Sequence, residues 1–297
     1  MYHKPVLLQE SINGLAINPN GIYIDTTFGG GGHSKEILKK LDKGKLVAFD
    51  QDEDSKQNKI DDERFLLLNH NFRYLKNFLK YLRLSPVDGI LSDLGISSHQ
   101  IDVRERGFSS RLEGPIDLRM DRKLKVTGAD IINSYSEDHL CKIFKEYGEI
   151  AAAKKVANVI VKSRNQEKIE TISGLKKTVE GIVPKQKENK FHAQILQALR
   201  IAVNDELEAL RELIIQACDS LKPGGRFVIL TYHSLEDRIV KNFFKSGDFE
   251  GKLDKDFYGI TKAPFKVITR KPIIPDENEI ITNSRARSAK LRIAEKI

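Results

Sequence analysis

The chain has 297 residues, 40% of them hydrophobic and 31% charged, with a formal net charge of +8; this balance is ordinary for a globular protein. No run approaches the roughly 20 apolar residues that a spanning helix needs, so we expect no membrane protein. Two isolated cysteines, Cys141 and Cys218, favour neither a disulfide framework nor a zinc site, and the histidines lack metal-ligand spacing. We therefore expect a cytoplasmic protein without a metal. The basic charge favours a polyanionic partner, although biased codon use explains lysine-rich composition equally well.

The first hundred residues alternate between short apolar segments and segments with helical periodicity. Strands are predicted at 21–25, 45–49, 64–68 and 87–91, and helices at 33–41 and 72–82. Alternation at this spacing predicts strand–helix–strand crossovers and therefore a parallel sheet.

The same alternation resumes near the C-terminus. An amphipathic helix is predicted at 203–221 and a fifth strand at 226–232. Two further β-like segments, 265–269 and 290–294, are separated by a polar connection, so we expect them to pair antiparallel at the sheet edge.

Between these regions the sequence changes character. Helical patterns occur at 136–147, 151–164 and 172–183, and no segment reads convincingly as a strand. We therefore predict an α/β protein in which residues 1–106 and 198–297 form the core. Residues 107–197 form an inserted, mostly helical domain.

Four glycines, Gly29 to Gly32, lie between the first predicted strand and the first predicted helix. Glycines at this position let a ligand approach the backbone, and the helix N-terminus presents free N–H groups. Asp50 follows the second strand, where a carboxylate can hold both hydroxyls of a ribose. No Gly-Lys-Ser/Thr follows the glycines, which excludes a nucleoside triphosphatase loop. A dinucleotide site and a purely structural turn both fit the glycines alone.

The acidic strand ends favour one cofactor among these. Asp25, at the end of the first strand, would repel a pyrophosphate but would suit the cationic amino acid end of S-adenosylmethionine. Asp93, at the end of the fourth strand, adds negative charge near the same loop. Together these carboxylates favour a positively charged sulfonium cofactor.

Nine segments spread over almost the whole chain carry a resemblance to a known family. They include YIDTTFGGGGHS at 23–34, DGILSDLGISSHQ at 88–100, HSLEDR at 233–238 and SRARS at 284–288, with further matches at 3–8, 49–52, 105–109, 114–121 and 197–204. In this order they resemble the bacterial 16S ribosomal RNA cytosine-N4 methyltransferases (small-subunit methyltransferase H). The resemblance implies a Rossmann-like S-adenosylmethionine-dependent methyltransferase with a mostly parallel, doubly wound sheet.

The resemblance also implies a set of cofactor contacts: Gly31, Gly32, His33, Asp50, Phe72, Asp93 and Gln100. Each has a physical rationale. The glycines permit backbone approach, His33 begins the helix whose N–H groups can meet a carboxylate, and Asp50 would hold the ribose. Phe72, just past the third strand, could cover the adenine face.

For the substrate, the resemblance implies N4-methylation of a specific cytidine in the decoding region of 16S RNA, on an assembled small ribosomal subunit. Asp93 is our candidate catalytic residue, as acceptor of a hydrogen bond from the cytosine amino group, and the backbone carbonyls of residues 93–95 are the alternative acceptors. Many amino-group methyltransferases carry an aromatic residue shortly after this position, whereas the present chain continues with Leu94-Gly95-Ile96.

Several basic residues are candidates for contacts with RNA. They are Arg106, Arg119, His233, Arg285 and Arg287. Arg285 and Arg287 would point the same way if the local chain were extended. Ser234 and Asp237 resemble a helix capping box, which gives His233 a structural setting as well. A surface position explains each single arginine equally well. We expect the helical insertion, residues 107–197, to recognise the RNA substrate.

Two other functions stay open on sequence grounds. The same fold and cofactor could serve another RNA base or DNA, or the protein could bind RNA or the ribosome with a vestigial cofactor pocket. A homodimer is also left open.

Overall fold

The computed structural model describes residues 5–253 and 263–297, so His3 and Lys4 of the first family-like segment lie outside the described residues. The chain divides into two compact units. The first combines Met1–Gly95 with Leu207–Ile297, and the second comprises Ile96–Glu206.

The N-terminal part of the first unit alternates strands and helices as predicted. Its elements are α1 (Leu8–Gly14), β1 (Ile22–Asp25), α2 (Gly32–Lys40), β2 (Lys45–Phe49), β3 (Phe65–Leu68), α3 (Leu75–Leu82) and β4 (Val87–Asp93). The predicted helix at 72–82 begins with a 3₁₀ turn, Phe72–Tyr74, before α3.

The second unit contains six helices among the described residues. They are α4 (Ser98–Asp102), α5 (Gly128–Ser134), α6 (Glu137–Glu146), α7 (Ala153–Arg164), α8 (Ile172–Thr178) and α9 (Glu188–Asn204). A separate apolar core, which includes Leu140, Phe144, Val156 and Ile160, is buried among them. The only β-type pairing recorded within this unit is an isolated bridge between Pro115 and Thr171. This unit is therefore helical, as expected.

The C-terminal part of the chain completes the sheet. Its elements are α10 (Glu206–Ser220), β5 (Leu221–Thr231), α11 (Ser234–Ser246), β6 (Phe265–Val267), α12 (Glu277–Thr282) and β7 (Lys290–Lys296). The predicted helix at 203–221 is interrupted, because Asp205 adopts a left-handed conformation with φ of 51° and separates α9 from α10.

The seven strands form one sheet in the order β3-β2-β1-β4-β5-β7-β6. Strands β1 to β5 pair in parallel, and β7 runs antiparallel to both β5 and β6. The mostly parallel sheet and the antiparallel edge are thus confirmed. The strand order reverses between β1 and β4, and ligands of such sheets bind beyond the carboxyl ends of the strands at this reversal.

Helices cover both faces of the sheet because successive strand residues point to opposite sides. On β5, Val228 and Leu230 join a cluster that contains residues of α1 and α2. Phe227, which directly precedes Val228, packs instead against Phe244 of α11, with ring centroids 5.6 Å apart. The sheet is therefore doubly wound, as the family resemblance implied.

The boundaries between the two units differ from those we predicted, which followed residues 106 and 197. A boundary after 197 would cut α9, which is continuous to Asn204. Arg106 packs within the second unit, where its guanidinium donates to the carbonyls of Arg119 and Met120. Both predicted boundaries therefore lie inside the second unit.

Within residues 5–253 and 263–297, no helix combines the length and the apolar character that crossing a bilayer requires.

Candidate cofactor and catalytic site

Three aspartates meet where β1, β2 and β4 end, at the reversal of strand order. Asp25 ends β1, Asp50 follows β2 and Asp93 ends β4. Thr27 links two of them: its amide donates to Asp25 Oδ1 at 3.1 Å, and its hydroxyl oxygen accepts from the Asp93 amide at 2.6 Å. The predicted common edge for these carboxylates is therefore present.

The glycine loop connects this cluster to α2. Gly29 and Gly31 both have positive φ, 50° and 74°, and Gly31 is the N-cap of α2. A Cβ at Gly31 would lie 2.9 Å from the Phe28 ring, whereas one at Gly32 would lie 2.1 Å from Cγ of Pro5. Gly31 is therefore required by the turn. Gly32 is required by packing against Pro5, a reason that the sequence did not indicate.

Asp50 fixes the loop and keeps capacity for a ligand. Its Oδ2 accepts from the Gly29 amide at 2.7 Å, and its Oδ1 accepts from the Asp52 amide at 2.9 Å. A carboxylate offers about four lone-pair sites, so two remain for the hydroxyls of a ribose. Burial raises the pKa of Asp50 to about 7, although these two amides act in the opposite direction.

Asp25 is enclosed by protein and is only 1% exposed. The Ser34 hydroxyl donates to its Oδ2 at 2.6 Å, and burial raises the pKa of its carboxyl. Ser34 and Thr27 therefore fix the orientation of this carboxyl. Our expectation that the charge of Asp25 suits the cationic amino acid end of the cofactor stays a prediction.

Asp93 lies between a tyrosine and a histidine. Tyr232, immediately after β5, donates its hydroxyl to Asp93 Oδ1 at 2.7 Å. Asp93 Oδ2 lies 3.7 Å from Nδ1 of His33, and the Asp93 side chain is 22% exposed. Burial raises the pKa of Asp93 to about 7, against the lowering effect of the Tyr232 hydrogen bond. The carboxyl is thus partly open and able to change its protonation state near neutral pH.

His33 is held as a neutral ring of defined tautomer. Its Nε2 lies 3.2 Å from the carbonyl oxygen of Val6, and a carbonyl can only accept, so Nε2 carries the hydrogen. Burial lowers the pKa of His33, which leaves Nδ1 as an unprotonated acceptor.

Two further predicted cofactor residues have different surroundings. Phe72 is half-buried in the 3₁₀ turn that follows β3. Asn71 caps the start of this turn, because its side-chain oxygen accepts from the Arg73 amide. Gln100 lies in α4 of the second unit, and its side-chain oxygen accepts from the Ser97 amide at 3.1 Å in a capping box. All of the predicted cofactor residues except Gln100 belong to the first unit.

Two predicted RNA-binding arginines are engaged inside the second unit. Arg106 is 2% exposed and donates to backbone carbonyls, as described above. Arg119 forms an ion pair with Asp117 at 2.7 Å and donates to the Leu124 carbonyl. Both guanidinium groups therefore support local structure, and we do not propose either as a phosphate contact.

The segment after β5 also differs from expectation. The N-cap of α11 is His233, without a side-chain capping bond. Asp237, expected to close a capping box, instead accepts from Arg292 at 2.6 Å and pairs with Lys290. Glu236 is the acidic residue that contacts this helix end. Its Oε2 accepts from the Tyr232 amide at 2.8 Å, and its Oε1 lies 3.2 Å from Nε2 of His233.

Arg285 and Arg287 lie in a 3₁₀ turn, Ser284–Ser288. The local chain is therefore not extended, and the premise that both side chains point the same way is wrong, since alternate residues of a 3₁₀ helix diverge. Arg285 is half-buried and Arg287 is exposed.

Tyr232 is the residue of this site that our sequence reasoning missed. We looked for an aromatic residue directly after Asp93, whereas the aromatic ring beside Gly95 comes from the end of β5. Its position immediately after a parallel strand was the available signal, because the carboxyl ends of neighbouring strands share one edge.

Comparison with known proteins gives a consistent result. The model of the MraW methylase family matches residues 1–297. "Ribosomal RNA small subunit methyltransferase H" of Flavobacterium johnsoniae is 53% identical over 297 residues, covering 100% of this chain and 98% of that protein. The protein of the same name from Bacteroides fragilis is 52% identical over 296 residues, covering 99% and 97%.

Among solved structures, an rRNA methylase from Streptococcus thermophilus aligns with 100% of this chain and 99% of its own, at 14% identity and a TM-score of 0.43. The family match extends over every element that builds the site described above. The chain belongs to the MraW methylase family and is an S-adenosylmethionine-dependent methyltransferase.

Proposed function

We propose that this protein methylates N4 of a specific cytidine in the decoding region of 16S ribosomal RNA, on the assembled small subunit. The observation that carries the proposal is the partly open carboxyl of Asp93 at the carboxyl edge of the sheet, beside the glycine loop and Asp50. The names of the relatives, which are methyltransferases of small-subunit ribosomal RNA, support the choice of RNA.

The residues of the first unit fit S-adenosylmethionine, which supplies an electrophilic methyl group on a sulfonium sulfur. Asp50 would hold the ribose with its remaining lone pairs, and Phe72 would cover the adenine. Amides at the start of α2 would meet the carboxylate of the amino acid end. Burial of Asp25, Asp50 and Asp93 close together makes this edge favourable for a cation, which compensates charges that are otherwise costly to bury.

Asp93 would prepare the nucleophile. The lone pair of the cytosine amino nitrogen is delocalised into the ring, and a hydrogen bond from N4–H to a carboxylate makes it more available for attack. The base must leave its stack to reach this position, at a cost of roughly a few kcal/mol that is smaller in single-stranded RNA. A decoding-region cytidine would therefore be presented unstacked.

Mapping of modified cytidines tests the proposal. Mass spectrometry of 16S RNA from cells with and without this protein is expected to show N4-methylcytidine at one position only when the protein is present. Purified protein is expected to restore the mark on assembled small subunits lacking it. A modification of another base would support the alternative acceptor, and an unchanged pattern together with no cofactor binding would support the vestigial pocket.

Arg285 is proposed to contact a phosphate of the RNA, since it is a half-buried arginine in a basic turn. Arg285→Ala is expected to weaken RNA binding about 3- to 10-fold and to reduce the salt slope of binding by about 1, because one phosphate contact is lost. Fluorescence anisotropy with labelled RNA at several salt concentrations measures both quantities. Cofactor affinity, measured by calorimetry, is expected to stay unchanged; an unaltered salt slope would remove Arg285 from the RNA surface.

Cofactor affinity is expected to rise with pH through about 7. Burial raises the pKa of Asp50 and Asp93 to about 7, and a cation binds the ionised carboxylates in preference to the neutral acids. The dissociation constant at pH 6 should therefore be about 10-fold higher than at pH 8 if one carboxyl must lose a proton, and about 100-fold higher if both must.

Calorimetric titration at these two pH values checks this expectation. S-adenosylhomocysteine, which lacks the sulfonium charge, is the matched ligand and should show a weaker pH dependence. A dissociation constant for S-adenosylmethionine that stays constant between pH 6 and 8 would contradict it.

A further inference from the structure

Tyr232 occupies a defined position beside the reacting edge of the first unit. Its hydroxyl donates to Asp93 Oδ1 at 2.7 Å. Burial and the nearby Asp93 carboxylate raise the pKa of Tyr232 well above its usual value, so the hydroxyl keeps its proton and acts as a donor. The ring lies against Gly95, where an added Cβ would be 3.3 Å from Cδ2 of Tyr232. The hydroxyl is therefore aimed at one oxygen of Asp93 by a ring that packing holds in place.

This bond makes the two oxygens of Asp93 unequal. Oδ1 receives the Tyr232 hydrogen, whereas no donor within hydrogen-bonding distance reaches Oδ2 among residues 5–253 and 263–297. Nδ1 of His33 lies 3.7 Å from Oδ2 and is itself an acceptor, because Nε2 of that ring donates to the Val6 carbonyl. Two acceptors thus lie side by side without a donor between them.

We propose that Tyr232 is a positioning residue for methyl transfer: its hydroxyl holds Oδ1 of Asp93 and leaves Oδ2, beside Nδ1 of His33, to receive the amino proton of the substrate. This inference rests on the proposed function. Transfer forms the N4–CH₃ bond as the S–CH₃ bond breaks, the electron pair of that bond stays on sulfur, and N4 releases one proton to Oδ2. The Tyr232 hydrogen bond stabilises the ionised carboxylate that must be present before the reaction.

Other charged and titratable groups face this carboxyl and its tyrosine. Asp93 is approached by His33 from α2, Asp25 from β1 and Glu236 from α11, and Glu279 of α12 adds negative charge near Tyr232 and His33. Of these acidic groups, Glu236 and Asp25 disfavour ionisation of Asp93. The Tyr232 hydrogen bond opposes them, so its removal should be visible in the pH dependence.

Tyr232→Phe removes the hydroxyl and retains the ring against Gly95. At pH 7, kcat is expected to fall about 5-fold, with KM for RNA changed less than about 2-fold. The dissociation constant for cofactor is expected to rise by up to about 5-fold at this pH, because fewer Asp93 carboxyls are ionised. The acidic limb of the profile of kcat against pH is expected to move upward by about one unit, so that most activity returns at pH 9.

Tyr23→Phe is the matched control. It removes the buried hydroxyl that accepts from the Asn18 amide at 2.7 Å, and it should lower stability without moving the pH profile of kcat.

A second readout needs neither RNA nor cofactor. Titration of the Asp93 carboxyl carbon by NMR in the free protein should give a higher apparent pKa in Tyr232→Phe than in the wild type, and an unchanged value in Tyr23→Phe. If wild-type protein does not methylate cytidine N4, the proposed function fails, whatever this titration shows. If it does, and Tyr232→Phe retains the wild-type pH profile and Asp93 titration, the positioning role of Tyr232 is refuted.

Discussion

Asp93→Asn is expected to lower kcat for methyl transfer by about 10²- to 10⁴-fold at saturating cofactor. Asparagine has the same shape and can still accept from Tyr232, but it cannot take up a proton and carries no negative charge. Cofactor affinity should fall by a smaller factor, about 10-fold, because one of three neighbouring carboxylates is lost. Single-turnover kinetics with small subunits lacking the modification separate the two effects.

Asp88→Asn is the matched control for this substitution. Asp88 belongs to the same strand, β4, but accepts from the Ile22 amide at 2.9 Å and pairs with Lys222 near the opposite end of the strand. We expect wild-type kcat with some loss of thermal stability. A value of kcat for Asp93→Asn within a few fold of the wild type would show that the amino proton has another acceptor.

Asp50→Ala is expected to weaken S-adenosylmethionine binding about 100-fold or more. The substitution removes two charge-assisted contacts to the ribose, each of roughly 1.5–3 kcal/mol, and leaves the Gly29 amide without its acceptor. Isothermal titration calorimetry measures the dissociation constant directly, at a pH well above 7 so that the wild-type carboxyl is ionised.

Asp50→Asn distinguishes ribose binding from support of the loop. Its side-chain oxygen can still accept from Gly29, so the loop should be preserved while one ribose acceptor is lost, and affinity should fall only about 10-fold. Arg285→Ala, at a residue proposed for RNA binding, serves as the control and should bind cofactor normally. Normal binding by Asp50→Ala would overturn the ribose assignment.

Much of the fold could be predicted because local signals agreed with each other. Short apolar segments became β1 to β4 within a few residues of the expected bounds, and the acidic residues that follow them share one edge because parallel strands end together. The helix break at Asp205 was missed, since apolar periodicity continues across it. The spacing of apolar residues indicates which face of a helix is buried, but it does not indicate where the backbone changes direction.

Predictions about the site were wrong where a side chain binds a partner that is distant in sequence. Asp237 could not cap α11 because Arg292 and Lys290 of β7 bind its carboxylate. Arg106 has the composition of a phosphate contact, but its guanidinium is surrounded by carbonyls of residues 119 and 120. Tyr232 was overlooked for the same reason, because strand pairing brings it to a residue more than a hundred positions earlier. The roles of the second unit in substrate recognition and of a homodimer stay predictions.

The pairing of β4 with β5 has a consequence for how the protein is made. Strand β4 ends at Asp93, and its partner begins at Leu221, after the whole helical unit. On a nascent chain, one edge of β4 therefore stays without its partner strand until that unit has been synthesised. An unpaired apolar edge invites association with other chains. Because the helical unit has its own apolar core, its residues can fold before β5 is made. The connection between β4 and β5 is then shorter than a fully unfolded chain of the same residues, so joining the two strands costs less entropy.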